Sequence, residues 1–293
     1  MADSFEEKFE EYRAYFNGRL DEFCDGLNTN PPVLGESMKY SLQLGGKRIR
    51  PVLIYAVGEV LGVEREKLTP YALALECIHT YSLIHDDLPE LDNDDFRRGK
   101  PSNHKVYGAA NAVLAGDGLL NTAYSVLFKE CLKGADYASA AKFICDAAGV
   151  YGMIAGQSAD LLHSNDENAD EDDLNYIYEN KTAKLLTAAV TVPSVLKGGA
   201  YYSELKLFGK RLGYLFQLTD DILDEVGSFN DLGKSTGKDV AEGKFTAIKL
   251  YGLQRCCLMV DVVGDECHKI LDGVQGEVTF LHDLVNFVKS RMN

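Results

Sequence analysis

Cys77-Ile78-His79-Thr80-Tyr81-Ser82-Leu83-Ile84-His85-Asp86-Asp87-Leu88-Pro89-Glu90-Leu91-Asp92-Asn93-Asp94-Asp95 runs from an apolar stretch straight into a knot of carboxylates. The upstream part, from Ala74, lacks the alternation of a half-buried strand and reads as a buried helix. The aspartates then fall at its C-terminal end, where the helix macrodipole is negative and bare carboxylates are disfavoured. Adjacent carboxylates also repel by about 1 kcal/mol per close pair, even at water-like dielectric. A divalent cation removes both penalties. Asp86 and Asp92 are six positions apart, roughly 240° round a regular helix. They can share a metal only if the helix deforms or ends, and Pro89 lies between them.

A second cluster repeats the pattern. Gln217-Leu218-Thr219-Asp220-Asp221-Ile222-Leu223-Asp224-Glu225 closes the apolar stretch Leu205–Leu218, and Asp220 and Asp224 share a helical face. Hard oxygen donors suit magnesium, which takes few protein carboxylates and keeps positions for substrate phosphate oxygens. A lone Asp-Asp pair is more often a solvated helix end; two clusters on two apolar helices argue otherwise. Neither cluster has the glycine and closing glutamate of a calcium-binding loop.

Cations gather beside both clusters, although 45 acidic residues face 30 basic ones and the net charge is -15. Gly45-Gly46-Lys47-Arg48-Ile49-Arg50-Pro51 sets three cations in four residues after a glycine turn. Arg97-Arg98-Gly99-Lys100 follows the first cluster, and Lys234, Lys238 and Lys244 follow the second. Guanidinium and ammonium groups hold phosphate oxygens. Any one of them alone reads as a surface charge; paired with the acidic clusters, they form receptors for one metal-chelated and one free diphosphate.

Helical periodicity covers the rest of the chain. Phe5, Phe9, Tyr12 and Phe16 mark an amphipathic opening helix, and Asn30-Pro31-Pro32 breaks the chain before a second helix ending at Gly45-Gly46. Apolar segments follow at Pro51–Leu61, Pro70–His85, Ala109–Leu132, Ala135–Leu162, Leu174–Leu196 and Glu204–Val226. The pattern weakens from about Asp261. No convincing period-2 strand and no linker composition is found. The expectation is one all-α domain over residues 1–293, a bundle of about ten helices.

Composition excludes several functions. An acidic chain is a poor general nucleic-acid binder and a poor ligand for an anionic membrane. The longest uncharged apolar run, Leu185 to Leu196, is well short of the ~20 residues a spanning helix needs, and no basic-then-apolar secretory start is present. Seven dispersed cysteines without a CxxC pair fit a reducing compartment. A cytoplasmic location without membrane insertion is expected.

These motifs, in this order, resemble the trans-prenyltransferases of the polyprenyl synthetase family, in particular the bacterial-type farnesyl diphosphate synthases. The resemblance rests on residues 45–51, 79–89 and 92–99, on Lys181-Thr182, on Gln217 with Asp220-Asp221-Ile222-Leu223-Asp224, and on Gly233-Lys234, and it spans about residue 30 to the C-terminus. It implies an isoprenoid synthase bundle around a deep central apolar cavity, normally a homodimer. It implies magnesium at Asp86, Asp87 and Asp92 and at Asp220, Asp221 and Asp224, three ions per site, with manganese able to substitute. Arg97, Lys181, Thr182, Gln217, Lys234 and Lys244 would contact the allylic substrate, dimethylallyl or geranyl diphosphate. Lys47, Arg50, His79 and Arg98 would bind isopentenyl diphosphate. Asp86, Asp87, Asp92, Arg97, Lys181, Asp220 and Lys234 would carry the catalysis. Lys184 departs from the family pattern of a small residue followed by an apolar stretch, and lies three positions from Lys181 on the same helix side.

The implied chemistry is head-to-tail condensation: the allylic diphosphate ionises, the double bond of isopentenyl diphosphate attacks, and a proton leaves. No side-chain nucleophile is required. His79 reads as a phosphate contact and His85 as a satisfied core histidine. A chain growing down the helix from Asp86 meets Ser82 and Tyr81, and in the resembled family an aromatic here goes with a C15 product. Farnesyl diphosphate is therefore expected. The alternatives are a geranyl (C10) or geranylgeranyl (C20) diphosphate synthase, a terpene cyclase, in which the 45–50 cluster would have no purpose, and a catalytically silent helical partner subunit.

Overall fold

The protein is described by a computed structural model over residues 4–226 and 243–290. Among these residues helices account for all regular structure except a two-residue ribbon, so the all-helical expectation holds. The chain divides into two compact units, Met1–Tyr55 with Glu64–Ala141 and Ala56–Val63 with Lys142–Asn293.

The first unit opens with α1 (Phe5–Asp25), whose start is fixed by a reciprocal cap. The Glu7 backbone N–H donates to the Ser4 hydroxyl, and the Ser4 N–H donates to the Glu7 carboxylate. Tyr12, Phe16, Leu20 and Cys24 repeat every four residues and form its buried face. Next come α2 (Pro32–Leu42), α3 (Ile49–Leu61, whose residues from Ala56 onward belong to the second unit), α4 (Arg65–Asp86), the antiparallel strands β1 (Phe96–Arg97) and β2 (Lys100–Pro101), α5 (Asn103–Tyr107) and α6 (Ala109–Cys131). Helix α4, which carries the first aspartates, packs on α1, α2 and α6. It begins a turn before Pro70, because Arg65 is held from outside: its guanidinium lies over the Tyr12 and Tyr15 rings and pairs with Glu11 at 2.7 Å.

One of the three cations after the glycine turn proves structural. Arg48, in left-handed backbone at φ 54°, is buried with Glu76 of α4, both side chains being 2% exposed. Its guanidinium donates to Glu76 at 2.6 Å, to the Leu42 carbonyl at 2.6 Å and to Asn17 at 3.2 Å. The arginine thereby locks α1, α2 and α4 together and aims the flanking Lys47 and Arg50 by fixing the backbone between them.

Helix α7 (Ala135–Ala148) contains the last crossing of the chain from the first unit to the second. The second unit continues with α8 (Met153–Leu162), α9 (Glu171–Ile177), a π-helix (Tyr178–Ala183), α10 (Lys184–Leu196) and α11 (Tyr202–Val226). It ends with α12 (Ala247–Tyr251), α13 (Leu253–Leu271) and α14 (Thr279–Ser290). The apolar stretch Ala135–Leu162 is thus two helices, parted at Gly149–Gly152. At Gly152 a Cβ would stand 2.2 Å from the Ala147 carbonyl oxygen, so only glycine permits that turn. The stretch Leu174–Leu196 is likewise not one regular helix, since a π turn interrupts it. The tail, where the sequence pattern weakens, is helical; Cys256, Val260, Val263, Cys267 and Leu271 form the buried stripe of α13.

Replacing Glu76 with Ala leaves a buried guanidinium without its carboxylate. The expected loss is about 3–5 kcal/mol of stability, read as a fall in the denaturant midpoint at unchanged slope.

Candidate functional site

In the first unit α4 ends where the metal argument requires it to end. Its last helical residue is Asp86, and the Asp87 backbone N–H still donates to Leu83. The chain then turns back through Pro89, with the N–H groups of Leu91 and Asn93 both donating to the Leu88 carbonyl. The Asp92 N–H donates to the Asp86 carbonyl at 2.9 Å. The six-residue mismatch disappears because the turn returns Asp92 to Asp86, leaving both carboxylates half-buried.

Asp87 is used differently. It is buried, and Arg97 reaches it from β1 through Nε at 3.0 Å and through a close contact from Nη2, with Asp94 at 3.4 Å on the same nitrogen. Burial raises the Asp87 carboxyl pKa while Arg97 pulls it down, and the same pair raises the arginine. This ion pair answers the adverse helix dipole at one of the two adjacent aspartates.

Arg98 points the other way along the ribbon. Arg98 and Gly99 form the two-residue turn between β1 and β2, at φ 55° and 74°, the left-handed pair such hairpins use. Its guanidinium donates to the Gly45 carbonyl and lies over Gly46, where a Cβ would come within 2.5 Å of it. The two cationic segments, 45–50 and 97–100, are therefore one structure. His79, half-buried, is held well below its ordinary pKa by burial and by Arg50, Arg98, Arg48 and Arg97. It stays a neutral imidazole among guanidinium groups, where an anion would be welcome. Lys47 is exposed and Arg50 half-buried. His85 hydrogen bonds with the Val113 carbonyl at 3.1 Å, and Gly116 gives it room. Tyr81 is buried edge-on to His85 with ring centroids 5.6 Å apart, and the Ser82 hydroxyl donates to the His79 carbonyl.

In the second unit the π-helix is the centre of the arrangement. Two glycines admit it: a Cβ on Gly156 of α8 would stand 2.1 Å from the Lys181 nitrogen, and one on Gly213 of α11 would stand 2.4 Å from the Ala183 Cα. Lys181 donates to the buried Asp160 at 2.5 Å. The Thr182 hydroxyl donates to Gln217 at 2.7 Å, and the Gln217 amide donates to Asp221 at 3.0 Å. The other Asp221 oxygen accepts from the Tyr178 hydroxyl, in a very short contact, and from the Ala247 N–H at 2.8 Å. Burial, then Asp221, hold the Tyr178 phenol well above its ordinary pKa, so it remains the donor. Asp220 is half-buried and Asp224 buried. Lys184 does not accompany Lys181: it lies 3.9 Å from Glu179, a surface carboxylate that also pairs with Lys210. The π turn, with its i→i+5 bonds, changes which residues share a side. Lys244 is half-buried, whereas Lys234 and Lys238 lie outside the described residues.

Sequence reasoning missed Asp160, Tyr178 and the structural use of Asp87 and Asp221. The Gly156-Gln157-Ser158-Ala159-Asp160 stretch gives a weak signal, a glycine and a lone acid on an apolar segment, but nothing local ties it to Lys181. Among the described residues no three His, Cys, Asp or Glu side chains converge as a ready-made metal cage. This donor set, a few hard carboxylate oxygens beside cations, still fits magnesium that completes its shell with phosphate oxygens.

Comparison with known proteins identifies the family. The polyprenyl synthetase family model matches residues 31–264. The chain is 40% identical to farnesyl diphosphate synthase of Bacillus subtilis (strain 168), over 89% of this chain and 90% of that one. It is 38% identical to geranylgeranyl pyrophosphate synthase 7, chloroplastic, of Arabidopsis thaliana, over 97% and 85%. Among solved structures it superposes on a geranyltransferase from Helicobacter pylori complexed with magnesium and isoprenyl diphosphate, with a TM-score of 0.82, 29% identity and 96% of both chains covered. The chain belongs to the polyprenyl synthetase family. It has the isoprenoid synthase fold and is a prenyltransferase, a trans-prenyl diphosphate synthase.

Gly156→Ala forces a methyl group against the π-helix backbone. The expected cost is about 1–3 kcal/mol, as for other overpacked contacts, together with reduced turnover because Lys181 and Thr182 shift. Thermal unfolding and steady-state rates on the same preparation check both.

Proposed function

We propose that residues 1–293 act as one catalytic domain that condenses isopentenyl diphosphate with dimethylallyl or geranyl diphosphate and stops at farnesyl diphosphate. One observation carries the two-diphosphate reading: Arg98 binds the Gly45-Gly46 turn, next to Lys47, and Arg50 and Arg98 stand close to a neutral His79. Such a cluster suits the diphosphate of isopentenyl diphosphate without help from a metal. Asp86 and Asp92, and on α11 Asp220 and Asp224, are the carboxylates proposed to hold magnesium, three ions per site with manganese able to substitute. When bound, the metal supplies positive charge against the leaving diphosphate. Lys181, Thr182, Gln217 and Lys244, with Lys234, hold and orient the allylic diphosphate, and Arg97 is kept in place for it by Asp87. The allylic C–O bond breaks, the isopentenyl double bond attacks the cation, and the departing diphosphate takes the proton.

Tyr81 is the proposed floor for the growing chain, with Ser82 beside it. Its ring is buried one helical turn before His85 and Asp86, which supports a C15 stop. The plant relative named above is a geranylgeranyl pyrophosphate synthase, which keeps a C20 product as the second reading. A homodimer is proposed from the family resemblance; Leu114 and Phe128 of α6 and Leu132, which caps it, are exposed apolar side chains compatible with such a contact. Among the described residues no helix is long and apolar enough to cross a membrane. We propose a cytoplasmic enzyme.

Purified protein with magnesium, isopentenyl diphosphate and dimethylallyl diphosphate should yield farnesol after dephosphorylation, and a chelator should abolish it. Geranylgeraniol instead would overturn the C15 assignment, and no product would overturn the proposed reaction. Tyr81→Ala should lengthen the product by at least one C5 unit, as read by chromatography; an unchanged distribution would remove Tyr81 as the floor.

A further inference from the structure

The second aspartate cluster contains a buried tyrosine, Tyr178, to which the metal and substrate roles assign nothing. Along α11, Gly213, Gln217 and Asp221 meet Ala183, Thr182 and Tyr178 in turn, so the π-helix runs antiparallel to α11 and touches it at three successive levels. The Tyr178 ring also sits against Tyr214, with centroids 5.2 Å apart, while its hydroxyl meets Asp221. The Ala247 N–H donates to both Asp221, at 2.8 Å, and the Tyr178 oxygen, at 3.1 Å. Ala247 opens α12 three residues after Lys244, and the intervening Phe245 is buried. Three donors from three segments thus converge on one carboxylate.

We propose that Tyr178 is a positioning residue, and that its hydroxyl and Asp221 form an internal clamp. The clamp fixes the π-helix bearing Lys181 and Thr182, the α11 turn bearing Gln217 and Asp220, and the segment bearing Lys244. A carboxylate accepts through about four lone-pair directions, and three of those on Asp221 are taken by donors of the protein itself. In this proposal Asp221 organises the cations, and magnesium is assigned to Asp220 and Asp224. The inference rests on the proposed prenyl-transfer reading of the site.

Tyr178→Phe keeps the ring contact and removes only the hydroxyl. With the full chain, KM for the allylic diphosphate should rise on the order of tenfold. KM for isopentenyl diphosphate and the magnesium concentration for half-maximal rate should stay within twofold. Asp221→Asn should do the same, and the double variant should be no worse than the poorer single one, as expected of residues acting through one contact. Hydrogen exchange, which needs no turnover, gives an independent reading: a peptide covering 244–250 should exchange faster in either variant, while one covering α13 is unchanged. A shift of several-fold in magnesium dependence in Asp221→Asn alone would make Asp221 a ligand and overturn the clamp. So would unaltered exchange at 244–250. A wild-type protein inactive with every allylic partner would instead overturn the prenyl-transfer reading, and the exchange result would still decide the clamp.

Discussion

Carboxylates collected at the C-terminal ends of two apolar helices are the constraint to which the rest of the structure answers. Each cluster stands where the helix dipole and mutual repulsion oppose charge. In both, the second aspartate of the adjacent pair turns inward and is satisfied by the protein itself. Arg97 answers Asp87, and Tyr178, Gln217 and the Ala247 N–H answer Asp221. The first aspartate of each pair is less buried. Division of labour within each Asp-Asp pair is how a chain of net charge -15 would build the proposed anion receptor.

Close backbone approach makes the second cluster possible. Gly156 and Gly213 are the positions where a single methyl group would collide with the π-helix. A π turn is an uncommon conformation found mostly at functional sites, and here it sets Lys181 against Asp160 while Thr182 reaches Gln217. In the first unit the corresponding device is arginine. Arg48 is buried to join helices, and Arg98 spans the turn at Gly45-Gly46, so two of the cations that look alike in sequence do unlike work.

The helices and both carboxylate clusters were legible in the sequence, because period, proline and glycine signals are local. So was the need for α4 to end at the first cluster, since Asp86 and Asp92 could not otherwise meet. Less legible was anything requiring two segments to touch. Asp160 lies 21 positions from Lys181, and Tyr178 lies 43 from Asp221, with no spacing rule to connect either pair. The break at Gly149–Gly152 was missed because apolar residues continue on both sides of it. The different partners of Lys181 and Lys184, Asp160 and Glu179, could not be read from spacing because a π turn intervenes.

Carboxylates that have satisfied themselves inward and left their partners outward should bind metal and diphosphate together or hardly at all. Calorimetric titration of the protein with inorganic pyrophosphate, with and without magnesium, tests this most directly. Tight binding that requires magnesium, with only weak heats from magnesium alone, is the predicted result. Tight magnesium binding without pyrophosphate would contradict the account, because it would mean that the carboxylates already form a closed metal cage.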